Sequence, residues 1–188
     1  MKFAPVAELF SSLGKTSKRL EKQLLLRDFF LNHRDEAPLL ADIIAGNYQR
    51  QIHKKEIGIS TKTIFAVLSV ASQDKERDIE KKFNELGDVG LLSAHFLKDT
   101  KQQSLAQDEL SLHHITSTLE RIAKTTGKNS NKIKVERLSH LFLQASSETE
   151  YIYLARMLVD DLRIGVSEGV LKEACVHTYL PSILGYHL

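Results

Sequence analysis

Cysteine is almost missing from this 188-residue sequence. Cys175 stands alone, which excludes an internal disulfide and fits a reducing compartment. No apolar run approaches the roughly 20 residues needed to cross a bilayer. The opening Met1-Lys2-Phe3-Ala4-Pro5 has no apolar signal-peptide segment. These absences predict a cytoplasmic protein with no membrane partner. Proline (3) and glycine (9) are too scarce for a disordered chain. A large excess of one charge is also lacking: the net charge is +2, so any nucleic-acid role must rest on cations clustered on one face. Such clusters occur at Lys15, Lys18, Arg19 and Lys22, and at Lys124, Lys128, Lys132, Lys134 and Arg137.

What is present is helical periodicity nearly throughout. Hydrophobic residues make up 42% of the chain, enough for one sizeable core or two small ones. Phe3, Val6, Phe10 and Leu13 recur at three- and four-residue steps, as do Leu20, Leu24 and the run ending at Phe30. Asp35 is placed to cap a segment carrying Leu39, Leu40, Ile43 and Ile44, with Pro38 in its first turn and Gly46 at its end. Ser60 opens a segment with Ile64, Phe65, Leu68 and Ala71 inward, and a charged segment follows from Asp74 to a stop at Gly87. Asp88 caps a short helix bearing Leu91, Leu92 and Phe96.

A polar linker over Lys98 to Asp108 divides the chain into parts of about 1–97 and 109–188. Beyond it, Ser111 starts a helix with Leu112, Ile115, Leu119 and Ile122, ending by Gly127. Ser130 or Asn131 caps the next, with Val135, Leu138, Leu141 and Phe142. Ser147 to Glu150 has capping-box spacing ahead of Tyr151, Leu154 and Leu158. The last helix runs from about Ser167 with Val170, Leu171 and Ala174 inward, and Pro181 bars its extension. No strand alternation is legible, so the expected fold class is all-α.

The two parts resemble each other. Leu13 to Thr16, Leu26 and Phe29-Phe30-Leu31 align with Ile122 to Thr125, Leu138 and Leu141-Phe142-Leu143. Further on, Ile57-Gly58-Ile59-Ser60 aligns with Ile164-Gly165-Val166-Ser167. The phenylalanine-to-glycine spacing differs, 28 residues from Phe30 to Gly58 against 23 from Phe142 to Gly165, so the loops have diverged. The expectation is a pseudo-two-fold pair of helical repeats, each with its own glycine turn before a serine cap. A glycine turn, a helix N-terminus with free N–H groups and a nearby cation are the parts of a phosphate contact. Two such contacts related by a two-fold suit a duplex.

Other motifs fail on their own terms. Gly14-Lys15-Thr16 has Leu9 where a P-loop needs glycine and a helix where it needs a strand. His113-His114 and Cys175-Val176-His177 lack a second ligand pair at zinc spacing. No activated nucleophile is legible, and Asp160-Asp161 reads as a helix end beside Arg163. By contrast, Lys132 and Lys134, Lys62, and Lys18 with Arg19 sit at helix starts, where a cation opposes the macrodipole and a bound anion would relieve it.

Tyr151 to Arg156 followed by Leu162 to Glu168 resembles the signature of the N-terminal DNA-binding domain of ATP-dependent DNA ligases of archaeal and eukaryotic type. Gly87-Asp88-Val89-Gly90, the Gly127 to Ser130 turn and Glu56 to Ser60 match in the same order, covering nearly the whole chain. The resemblance implies an all-helical, pseudo-symmetric domain that grips nicked duplex DNA across the minor groove, mainly through phosphates. Carried over residue by residue, it implies a DNA face made of Thr16, Lys18 and Arg19; Gly58, Ser60 and Lys62; Ser130, Lys132 and Lys134; and Arg163, Gly165 and Ser167. Arg156 and Asp88 are expected to brace the fold. It also implies linked nucleotidyltransferase and OB-fold domains, ATP and Mg2+ in the parent enzyme, and a nuclear location if the source is eukaryotic. Here the sequence departs from a complete ligase, since it contains no Lys-x-Asp-Gly. The expectation is a chain that binds no cofactor and seals no nick alone. Two rivals are a helical protein-interaction module, such as one docking a sliding clamp, and a small complete enzyme, for which no reactive centre is legible.

Overall fold

The computed structural model describes residues 1–48, 58–99 and 109–184, with side chains as far as Tyr179. Among them lie ten helices and no strand, as the periodicity predicts. They are α1 (Phe3–Lys15), α2 (Arg19–Asn32), α3 (Ala37–Ile44), α4 (Thr61–Ser72), α5 (Glu76–Leu86), α6 (Val89–Leu97), α7 (Leu112–Ala123), α8 (Ser130–Gln144), α9 (Glu148–Leu158) and α10 (Glu168–Leu184). No helix among the described residues is long and apolar enough to cross a membrane. From residue 100 on, the expected linker lies outside the described residues, as do Glu56 and Ile57.

The chain forms two compact units, each made of two separate stretches. One takes Met1–Glu8 and Gln51–Asp161, the other Leu9–Arg50 and Leu162–Leu188. Neither unit coincides with a sequence half; each draws helices from both.

In the first unit, α4 packs on α8, α5 and α6, α9 packs on α6, and α7 packs on α8. The inward residues of α4 are those the periodicity selects, Ile64, Phe65, Leu68 and Ala71, joined by Val67. Ser139 of α8 reaches the Val67 carbonyl at 3.2 Å, so a small hydroxyl residue marks where these two helices meet. The expected capping box forms at Ser147/Glu150, and a second one stands at Ser60/Thr63. Glu150 is buried, and its Oε2 accepts from the backbone N–H groups of Ser146 and Ser147 at 2.9 and 3.1 Å, with both serine hydroxyls alongside. That converts four polar groups at the helix start into one satisfied cluster.

In the second unit, α2 packs on α10. Here the expected inward face of α2 is corrected. Leu20 and Leu24 are 73% and 49% exposed, while Lys22, Leu26 and Phe30 are buried. Residues 22, 26 and 30 form one row at four-residue steps; 20, 24 and 31 fall about half a helical turn away. A run with leucine or phenylalanine on both sides leaves the face open, and the packing against α10 decides it. Three smaller expectations also change. Glu36, not Asp35, sits at the cap of α3, with no side-chain cap. Asn129 rather than Ser130 or Asn131 occupies the cap of α8. Helix α10 continues through Pro181 to Leu184.

Candidate nucleic-acid interface

The two glycine turns share a backbone geometry. Gly58 has φ +55° and Gly165 φ +59°, both in the left-handed region that glycine enters without steric cost. Two residues later a serine caps the next helix. Ser60 Oγ accepts from Thr63 N at 3.4 Å and its carbonyl from Ile64 N at 3.1 Å. Ser167 repeats both bonds, with Val170 N at 3.4 Å and Leu171 N at 3.1 Å. In each turn one isoleucine, Ile59 or Ile164, is buried and pins the loop, leaving Gly58, Ser60, Gly165 and Ser167 exposed.

The turn at 162–167 holds a further feature that no local sequence pattern suggests. Arg163 also has positive φ, +53°, a conformation that costs a non-glycine residue on the order of 1–3 kcal/mol and persists only where its surroundings enforce it. Part of that enforcement is Lys22. Only 6% exposed, it donates from Nζ to the carbonyls of Ile164 at 2.6 Å and Gly165 at 2.7 Å. Sequence reasoning groups Lys22 with surface cations; it is a buried clasp. The signal that could have found it is its four-residue step to Leu26 and Phe30.

Thr16, Lys18 and Arg19 belong to the same unit as Arg163, Gly165 and Ser167. The Thr16 hydroxyl accepts from Lys18 N at 3.2 Å and donates to Glu21 at 2.7 Å, which orders the start of α2. The Arg19 guanidinium lies beside the first turn of α10, where a Cβ on Gly169 would stand 3.9 Å from Nη2, and it pairs with Glu173.

Gly58, Ser60, Lys62, Ser130, Lys132 and Lys134 belong to the other unit. Lys134 reaches from α8 to the Gly58 carbonyl at 3.5 Å, which brings that helix start and that turn together. Lys62 is exposed in the first turn of α4. Lys132 is exposed and stands 3.9 Å from Glu136, a loose pair of little energetic consequence. Neither α4 nor α8 carries an acidic residue in its first turn, so their positive N-terminal ends and their lysines add. At α2 and α10 the first turns contain Glu21 and Glu168, which offset part of that field.

The Gly-Asp-Val-Gly segment is structural. Asp88 accepts from Leu91 N at 2.8 Å, capping α6, and receives Arg156 Nη2 at 3.0 Å and Nε at 3.2 Å. Gly87 takes φ +64°, and a Cβ at Gly90 would lie 2.7 Å from the Ile152 carbonyl and 2.9 Å from Arg156 Nε. These contacts are the brace expected of Asp88 and Arg156.

No group of three or more His, Cys, Asp or Glu side chains suited to a metal occurs among the described residues. Burial pushes the Cys175 thiol above its ordinary value, the reverse of an activated nucleophile. What the geometry defines is an all-helical domain offering backbone amides and cations at paired helix starts. The chain belongs to the DNA ligase N-terminus family, whose model matches residues 2–175 and so contains every candidate residue named above. Similar proteins include a DNA ligase of Methanosphaera stadtmanae, 33% identical over 181 residues, covering 94% of this chain and 32% of that protein. A DNA ligase of Methanocaldococcus jannaschii is 32% identical over 184 residues (93% and 31%), and one of Thermococcus fumicolans 29% over 180 (95% and 32%). The chain thus spans about a third of the length of the curated relatives it matches.

Proposed function

We propose that this chain is the DNA-gripping part of an ATP-dependent DNA ligase, holding duplex DNA around a nick mainly by backbone phosphates across the minor groove. Its partners in this reading are nucleotidyltransferase and OB-fold domains of the parent enzyme, which use ATP and Mg2+ to join the strands in replication, repair and recombination. The observation that carries it is the pair of matched turns, Gly58 to Ser60 and Gly165 to Ser167, each presenting a capped helix start beside Lys or Arg. Phosphates are the ligand that both the amides and the cations of Lys62, Lys132, Lys134, Arg19, Lys18 and Arg163 would satisfy. Thr16, Ser130, Ser60 and Ser167 add hydroxyls at the same helix starts. The family membership and the DNA ligase names of the relatives support the same reading.

Fluorescence anisotropy with a labelled nicked duplex over a salt series tests it. Phosphate-dominated binding gives an affinity that falls linearly on log–log axes, by about 0.9 per phosphate neutralised, and differs little between unrelated sequences. Absence of binding at low salt would count against it. One observation favours a second reading, a protein-interaction module such as one docking a sliding clamp: Leu20, Leu24 and Leu31 form an exposed apolar row on α2. On that reading Leu20→Ser with Leu24→Ser abolishes partner binding and leaves DNA affinity untouched.

A further inference from the structure

Lys22 stands four residues before Leu26, and Lys134 stands four residues before Leu138. Leu26 and Leu138 are equivalent in the internal alignment, so the two lysines are equivalent as well. So are the turns they reach, since Gly165 pairs with Gly58 in the same alignment. Yet Lys22 clasps the turn of the second sequence half, and Lys134 the turn of the first. The helix pairs follow suit: α2 packs on α10 within one compact unit and α8 on α4 within the other. Each unit therefore joins the front of one half to the back of the other.

We infer that Lys22 and Lys134 are equivalent positioning residues, each fixing the glycine turn contributed by the opposite half of the sequence. Resting on the DNA-gripping reading, this assigns the buried Lys22 to the shape of the phosphate-facing turn and not to the phosphates, whereas the half-buried Lys134 holds its turn and also stands among the phosphate-facing cations. Two reasons favour the assignment. Lys22 is buried, and its two hydrogen bonds go to main-chain carbonyls of the turn, Ile164 and Gly165. The turn also contains Arg163 and Gly165 in left-handed conformations, and fixing the Ile164 and Gly165 carbonyls fixes the peptide planes on either side of Gly165. Ser167, bonded to the N–H groups of Val170 and Leu171, is then held in place as the cap of α10. At the other turn the Thr63 hydroxyl, 3.3 Å from the Gly58 carbonyl, shares the task with Lys134. The lysine contact there is longer and more exposed, 3.5 Å against 2.7 Å.

The test is residue-resolved amide hydrogen exchange on the full chain and on Lys22→Met, with nicked-duplex affinity measured on the same samples. Removing two hydrogen bonds from a charged donor predicts exchange at Val170 and Leu171 faster by about tenfold or more. The Leu40 amide, bonded to Glu36 in α3 of the same unit, serves as reference and should change far less. DNA affinity should fall with it. Uniform acceleration at all three amides, or none, overturns the positioning role. Selective acceleration with unchanged affinity overturns the link from turn to DNA. If the unsubstituted chain binds no DNA, the functional reading fails while the exchange result still decides the clasp. Should Lys22→Met not fold, Lys134→Met tests the equivalent clasp at an accessible site, with faster exchange at Thr63 and Ile64 expected and unchanged exchange overturning it.

Discussion

Asp88 and Arg156 are joined by a forked contact, with Nη2 3.0 Å and Nε 3.2 Å from the same carboxylate oxygen. Both are largely buried, with side-chain exposures of 3% and 14%. Removing one partner strands a charge. Asp88→Ala should therefore destabilise the fold by about 3–5 kcal/mol, read from urea unfolding. Asp88→Asn retains an oxygen for the Leu91 amide and should cost less.

Gly165 and Gly87 separate two effects. Both have left-handed φ, but an added Cβ meets nothing within 4 Å at Gly87 and stands 2.7 Å from Lys22 Nζ at Gly165. Alanine at Gly87 should cost the backbone term, roughly 1–2 kcal/mol. Alanine at Gly165 should cost more, and Lys22→Met in combination should remove the excess. Equal costs in thermal unfolding would contradict the clasp.

Glu150 is buried among donors from Ser146 and Ser147. Glu150→Ala would leave those backbone N–H groups unsatisfied, at about 1–3 kcal/mol. The destabilisation should show as earlier unfolding of α9 in hydrogen exchange.

Stability should also depend on alkaline pH. Burial raises the phenol of Tyr151 above 10.0, with Glu150 adding to it, and burial raises Tyr153 likewise against the opposing Arg156. A folded-state pKa above the unfolded one favours the neutral form. Stability is then level below pH 10 and falls as pH rises through the folded-state values. The melting temperature should drop there, and the double variant Tyr151→Phe, Tyr153→Phe should flatten the decline.

The legible and illegible parts divide on physical grounds. Helix starts are readable because caps are local: Ser60, Asp88, Ser111 and Ser147 each accept from an N–H three residues on. The core faces of α1, α4 and α7 follow from periodicity because polar residues mark their outer sides. Helix α2 defeats that rule, since leucines lie all around it and Lys22 and Gln23 face inward. The continuation of α10 through Pro181 is likewise unreadable from local rules. The glycine turns are visible, but the lysines that reach them come from 142, 143 and 76 residues away, a separation no local pattern encodes.

If paired helix starts grip DNA phosphates, binding depends on salt through their cations. The salt dependence of nicked-duplex affinity, measured for the chain and for the triple variant Arg163→Ala, Lys132→Ala, Lys134→Ala, tests this. The variant should bind more weakly on every sequence, with a log–log slope shallower by about 0.9 for each phosphate that it no longer neutralises. An unchanged affinity and slope would contradict it.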